Sequence, residues 1–199
     1  MSTTARRRVP PPTVILPSGR VQAPIDVTRA TGVGSLAHLV ISLLAPAAKE
    51  SPARTSDACL ALAHQLAAPS PRSKANAVLA AGFANEYLLT ARPSPAWTVL
   101  GVEYDTGDGR VDLAYRNAMT EVVFFDEIKT THVPSAVLNR DWISQAHRYA
   151  AAGMAKLGLC VAGTRLTPLG SRHLTALVTA DGRVRQFTPS TDAPLPVRT

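Results

Sequence analysis

The chain has 199 residues, 46% of them hydrophobic, which is enough for one domain with a buried core. Its only cysteines, Cys59 and Cys160, are too few for a disulfide framework or for a four-cysteine metal or iron–sulfur site. The longest apolar run, residues 36–48, is too short to cross a bilayer. Near the start, the arginines are followed by prolines and not by an apolar signal segment. We therefore expect a cytoplasmic protein with no membrane partner.

The net charge of +7 is concentrated at the two ends of the chain. Residues 32–164 contain 11 Lys and Arg and 11 Asp and Glu, so the whole excess lies in residues 1–31 and 165–199. Basic segments around a neutral centre suit a polyanion, because each Lys or Arg that meets a phosphate releases counterions. A solubilising role explains the same charge equally well, and both interpretations stay open.

The first predicted elements are an arm and three helices. Residues 1–24 contain five prolines and little hydrophobic periodicity, so residues 1–31 are predicted to be a basic, flexible arm. Apolar stripes with a helical period, bounded by prolines and capping residues, then predict helices over residues 32–45, 56–68 and 73–91.

After Pro95 the pattern becomes that of strands, rich in Val, Tyr and Phe and separated by turn residues. The predicted order is three strands at 97–105, 109–116 and 121–130, a helix at 140–158 and a strand at 159–166. A hairpin is predicted around Asp181 and Gly182. This order predicts an α/β domain over residues 32–187, with a mixed central β-sheet flanked by helices, and a tail over residues 188–199.

The third predicted strand ends in the run EVVFFDEIKTTH, which places three charges beside an apolar segment. Because side chains alternate along a strand, Glu127 and Lys129 share one face. Asp126 points to the other face, where we expect an arginine or water to satisfy it.

Pairing of this strand with the preceding one is predicted to place a second carboxylate, that of Asp112, near Glu127. A turn at residues 117–120 would place Arg116 opposite Glu121 and Asp112 opposite Phe125. Asp112 would then lie diagonal to Glu127 on the same face, roughly 7–8 Å away along the backbone. Two such carboxylates repel unless a cation lies between them. Oxygen ligands suit Mg²⁺ or Mn²⁺, and a metal with a neighbouring lysine suits hydrolysis of a phosphodiester.

These residues resemble the PD-(D/E)xK nuclease superfamily, and within it the RecB-like branch. The resemblance is carried by Asp112 in GRVDLAY, by the triplet Glu127, Ile128 and Lys129 in FFDEIKTT, and by Gln145 and Tyr149 in QAHRY, which match the QxxxY motif of the branch. The segment GVGSLAH resembles the glycine-rich helix start that ends in a metal-binding histidine, here His38. Glu86 is an alternative first ligand, and the choice stays open. Glu103 also lies where related sequences often carry an acidic residue.

The resemblance implies a restriction-endonuclease-like αβββαβ core and a metal-dependent deoxyribonuclease, of the exonuclease type, in DNA recombination, repair, phage replication or defence in a bacterial or phage-infected cell. Its implied metal ligands, for Mg²⁺ or Mn²⁺, are His38, Asp112, Glu127 and the carbonyl of Ile128. Lys129 would position the water, while Gln145 and Tyr149 would orient the site. The implied partner is single- or double-stranded DNA, and a protein partner or a second copy of the chain is a further candidate.

Two alternatives to a nuclease stay open. The chain could be a nucleic-acid-binding module on a nuclease fold that cleaves only within a complex or not at all. It could also be an assembly protein whose strand charges pair only with one another.

Overall fold

The computed structural model describes residues 13–16, 19–22, 32–47, 51–67, 70–131, 139–170 and 175–187. Its helices are α1 (Val33–Leu44), α2 (Pro52–Leu66), α3 (Pro71–Glu86), which continues into a π-helical turn (Tyr87–Ala91), and α4 (Arg140–Leu157). Its strands are β1 (Thr13–Leu16), β2 (Gly19–Gln22), β3 (Trp97–Asp105), β4 (Arg110–Asn117), β5 (Val123–Thr130), β6 (Val161–Leu169), β7 (Thr175–Val178) and β8 (Val184–Phe187).

Strands β3 to β8 form one sheet whose spatial order is the same as their order in the chain. The pair β5 and β6 is parallel, and the other neighbours are antiparallel. A parallel pair needs a crossover connection, and α4 is the helix in the connection between β5 and β6. The predicted fold class, a mixed central sheet flanked by helices, is confirmed.

The helices cover the two faces of this sheet. Helices α1, α2 and α3 pack with the side chains of one face, among them Tyr115, Phe124 and Ile128. Helix α4 packs on the other face, where Ala150 and Tyr149 join a cluster with Phe125. A Cβ at Gly153 of α4 would lie 2.6 Å from a ring carbon of Phe125, so the glycine lets α4 lie close to β5.

The pairing of β4 with β5 differs from the predicted register. Arg116 pairs with Val123, so the prediction that Arg116 lies opposite Glu121 is wrong by two positions. The prediction that Asp112 lies opposite Phe125 is wrong by the same amount. An ion pair still joins Arg116 to Glu121 at 2.6 Å, because Glu121 lies in the turn beside the strand end.

The physical reason is a turn that is longer than predicted. The side-chain oxygen of Asn117 accepts hydrogen bonds from the backbone N–H groups of Met119 and Thr120, each at 3.0 Å. Glu121 then adopts a φ of +59°, so β5 begins only at Val123. Continued by one position, the observed register places Asp112 directly opposite Glu127.

The predicted domain limits stay predictions. Part of the segment predicted to be an arm, β1 and β2, forms an antiparallel pair. The remainder of residues 1–31, and residues 188–199, lie outside the described residues. In the part of the chain that the structure describes, no helix is both long enough and apolar enough to cross a membrane.

Candidate active site

Glu127 and Lys129 lie at the end of β5, on the face of the sheet that α4 covers. The Nζ of Lys129 donates to Oε1 of Glu127 at 2.7 Å. Glu127 is almost entirely buried, with 7% of its surface exposed. Its second oxygen, Oε2, is buried and has no hydrogen-bond partner among the described residues. The pair therefore presents an unsatisfied acceptor inside the site.

Asp112 of β4 joins this strand end to α1. Its Oδ2 accepts a hydrogen bond from the backbone N–H of Ile128 at 2.6 Å. Its Oδ1 lies 3.0 Å from Nδ1 of His38, which α1 carries. The other ring nitrogen of His38, Nε2, is buried without a partner among the described residues. The structure thus brings together the two carboxylates and the histidine that the sequence singled out.

Helix α4 supplies the next contacts of Lys129. The amide oxygen of Gln145 accepts from Nζ of Lys129 at 3.1 Å, and its Nε2 donates to the hydroxyl of Tyr149 at 2.9 Å. Residues four positions apart share a helix face, which explains why Gln145 and Tyr149 meet. A continuous chain of hydrogen bonds therefore runs from Glu127 through Lys129 and Gln145 to Tyr149.

Trp142 is a site residue that the sequence analysis missed. Its ring centre lies 5.5 Å from Nζ of Lys129, within the range of a cation–π contact. Trp142 precedes Gln145 by three positions, so it lies on the same helix face one turn earlier. This spacing is the signal in the sequence that could have identified it.

The electrostatics of the site are those of crowded carboxylates. Burial raises the pKa of Glu127 to about 7, and the charge of Asp112 adds to this effect, while Lys129 opposes it. Burial lowers the pKa of His38, but the charge and hydrogen bond of Asp112 outweigh it, so this pKa lies above its ordinary value. Both shifts favour the bound proton, and the negative charge of Asp112 contributes to each.

Two further acidic residues take different positions. Glu103 of β3 is half-buried, and burial together with the charge of Asp112 raises its pKa. It adopts a φ of +47°, which is unusual for a residue inside a strand. Glu86 instead accepts a hydrogen bond at 3.0 Å from the backbone N–H of Gly170, just after β6. Of the two candidate first ligands, His38 is therefore the one found in contact with Asp112.

The donor set fits a hard divalent cation in its chemistry. Carboxylate oxygens with a carbonyl or an imidazole are ligands for Mg²⁺ or Mn²⁺. The partnerless Oε2 of Glu127 and Nε2 of His38 are buried atoms that such an ion would satisfy. In the residues described, no group of three or more His, Cys, Asp or Glu side chains is arranged so that it could hold a metal ion. Oδ1 of Asp112 contacts His38, and Oε1 of Glu127 contacts Lys129.

The opposite face of β5 carries a buried polar network. Asp126 has no exposed surface and accepts hydrogen bonds from Nε of Arg165 at 3.0 Å, Oγ1 of Thr167 at 2.6 Å and the hydroxyl of Tyr87 at 2.6 Å. Tyr87 also contacts the hydroxyl of Tyr115 at 2.8 Å. The arginine expected beside Asp126 is thus Arg165. This arginine is almost entirely buried, so one of the basic residues counted in the flanks has very little surface with which to meet a phosphate.

Comparison of the chain with protein-family models, with curated proteins and with solved structures found no match in any of the three.

Proposed function

We propose that this chain is a metal-dependent deoxyribonuclease that hydrolyses phosphodiester bonds, of the RecB-like PD-(D/E)xK type. The observation that carries the proposal is the convergence of Asp112, Glu127 and Lys129 on one sheet face, with Lys129 joined through Gln145 to Tyr149. This is the order of contacts expected if β4, β5 and α4 carry the three motifs of that family.

The proposed ligands are the carboxylates of Asp112 and Glu127, the carbonyl of Ile128 and the imidazole of His38. The bound metal would lower the pKa of a water molecule and offset negative charge at the phosphodiester. Asp112 supports this set from two sides, because its carboxylate contacts His38 and the N–H of Ile128. These contacts hold β4, β5 and α1 together around the proposed metal ligands.

Lys129 has the position to orient the attacking water and to stabilise charge on the phosphoryl oxygens. Its ammonium lies between Glu127 and Gln145, at 2.7 and 3.1 Å. When the water oxygen attacks phosphorus and the bond to the departing oxygen breaks, this fixed positive charge offsets the charge that develops. Gln145 and Tyr149 hold the lysine in place from α4.

A second candidate function is a nucleic-acid-binding module that does not cleave. The ion pair between Lys129 and Glu127 favours it, together with the lack of a preformed metal-binding group in the described residues. In that case the charges of the site satisfy one another, and the exposed basic residues alone meet the phosphates.

A cleavage assay on linear, circular and single-stranded DNA, with Mg²⁺ and separately with Mn²⁺, separates the two candidates. We expect the parent protein to cleave. Asp112→Ala and Glu127→Ala should abolish cleavage, and Lys129→Ala should reduce it by at least about a hundredfold, since a charge that acts at the transition state is removed. A folded parent that binds DNA but cuts no substrate with either metal supports the second candidate.

Metal binding is measured separately by calorimetry. Asp112→Ala, Glu127→Ala and His38→Ala should weaken Mn²⁺ binding, while Lys129→Ala should retain it. Glu86→Ala is the matched control, because Glu86 also lies on a helix but contacts a backbone N–H after β6. Unchanged Mn²⁺ binding in Asp112→Ala and Glu127→Ala would refute the proposed site.

A further inference from the structure

The described residues give the ammonium of Lys129 three contacts, and only the one with Glu127 involves a proposed metal ligand. Oε1 of Glu127 lies at 2.7 Å, Oε1 of Gln145 at 3.1 Å and the ring centre of Trp142 at 5.5 Å. The strongest of these contacts is the ion pair, since a charged partner makes the stronger hydrogen bond. A cation bound through the free Oε2 of Glu127 draws on the same negative charge and therefore weakens that ion pair.

We infer that Trp142 is a positioning residue for Lys129 and that its ring keeps the ammonium in the site when a divalent cation binds the Glu127 carboxylate. The inference rests on the proposed function. When the ion pair is weakened, Lys129 retains the Gln145 oxygen on one side and the face of the indole on another. Without the ring, the described contacts of the ammonium outside the ion pair reduce to one neutral hydrogen bond.

The ring of Trp142 is held in place by its packing against a hydrophobic cluster. Its ring is partly buried and packs, together with the side chain of its neighbour Ile143, against a cluster of Ala146, Leu166 and two residues of β7. A ring packed in this way stays beside the ammonium when a bound cation weakens the ion pair. An aromatic face attracts a cation through its quadrupole, so the contact depends on the ring and not on apolar volume alone.

Ile143 shares this packing with Trp142. Of these two residues, only Trp142 is among the described contacts of Lys129. Ile143→Ala is therefore the matched control for loss of packing. Trp142→Leu keeps a smaller apolar side chain and removes the aromatic face, whereas Trp142→Phe, which is closer in size to leucine than to tryptophan, keeps a face. The three variants separate the cation contact from the core contact.

The first test measures steady-state cleavage of linear DNA with Mg²⁺ by the full chain. We expect Trp142→Leu to lower kcat by about tenfold with KM nearly unchanged, the size of one desolvated cation–π contact. Trp142→Phe should restore most of kcat, and Ile143→Ala should keep the parent kcat per folded molecule. Equal kcat values for Trp142→Leu and the parent would overturn the inference.

The second test needs no turnover and uses Mg²⁺ alone. In a Trp97→Phe background, Trp142 is the remaining tryptophan, so its emission reports on the ring. Lys129→Met, which keeps the side-chain stem and removes the charge, should change the emission both without and with saturating Mg²⁺. A change that disappears when Mg²⁺ is added would overturn the inference, because the lysine would then have left the ring.

Failure of the inference and failure of the proposed function are distinguishable. A parent protein that cleaves DNA, with Trp142→Leu equal to it, overturns the inference alone. A parent protein that neither cleaves DNA nor binds Mg²⁺ or Mn²⁺ by calorimetry refutes the proposed function, and it overturns the inference with its premise.

Discussion

Replacing Asp126 with asparagine should destabilise the fold severely, although the side chain keeps its size. Asp126 is fully buried, and each of its two carboxylate oxygens accepts hydrogen bonds from two donors. Oδ1 accepts from Nε of Arg165 and from Thr167, and Oδ2 accepts from Nη2 of Arg165 and from Tyr87. An asparagine replaces one oxygen with an NH₂ group that only donates. Either orientation of the amide thus places donors against donors.

The expected magnitude follows from the charge that the substitution leaves behind. The Arg165 guanidinium stays positive and buried, with its partner removed, and breaking a buried ion pair in this way costs roughly 3–5 kcal/mol. For a chain of this length each kcal/mol lowers the midpoint of thermal unfolding by about 2–4 °C. We therefore expect the midpoint to fall by roughly 6–20 °C.

Urea unfolding followed by circular dichroism measures this loss. The matched control is Glu121→Gln, the same change from acid to amide in an ion pair with Arg116 whose side chains are 46% and 61% exposed. It should cost at most about 1 kcal/mol. Adding Arg165→Met to Asp126→Asn should restore part of the stability, because the unpaired charge is then absent. A single variant within about 1 kcal/mol of the parent, or a double variant less stable than the single one, would refute the reasoning.

Two further predictions concern the site. In metal-free protein, the free energy of unfolding should fall as pH rises from about 4.5 to about 7, because folded Glu127 holds a proton that unfolded Glu127 releases. His38, whose folded pKa is also raised, adds stability that is lost at higher pH, so Glu127→Gln should flatten the pH profile only in part. A parent profile that is flat over this range would contradict the shift. Gly109→Ala should lower the free energy of unfolding by about 1 kcal/mol or more, and it should also lower the cleavage rate. The reason is that Gly109 has a φ of +139° and that a Cβ there would lie 2.9 Å from the ring of Tyr149. Gly82→Ala, within α3 and with nothing within 4 Å of its Cβ, should instead raise the melting temperature, and equal effects of the two substitutions would count against this explanation.

Local periodicity is what made much of the site predictable. Alternation along a strand predicted that Glu127 and Lys129 share a face and that Asp126 points away, and the structure agrees. Helical spacing places Gln145 and Tyr149 on one face of α4, where the structure shows them in contact. These relations depend only on neighbours a few positions away in the chain. The catalytic and metal-binding roles assigned to these residues stay predictions.

The rest depends on contacts between distant segments. The register of β4 and β5 is set by a turn in which Asn117 caps two N–H groups and Glu121 adopts a left-handed conformation, and no glycine marks that position. The spacing of Trp142 and Gln145 indicates a shared helix face, but the contact of Trp142 with Lys129 requires in addition that α4 lies close over β5. The choice of Arg165 as the partner of Asp126 requires the parallel pairing of β5 with β6. No local pattern fixes any of these.

The irregular course of β3 has a consequence for how the molecule behaves in a crowded solution. β3 is the outermost strand at one side of the sheet, where a regular strand would offer a row of N–H and C=O groups to a second chain. Its register with β4 shifts between Val99 and Gly101, and Glu103 then adopts a left-handed conformation. An incoming strand could therefore form only a short run of hydrogen bonds before the two backbones diverge. The same distorted segment that lies beside the charges of the site thus hinders edge-to-edge aggregation of the chain.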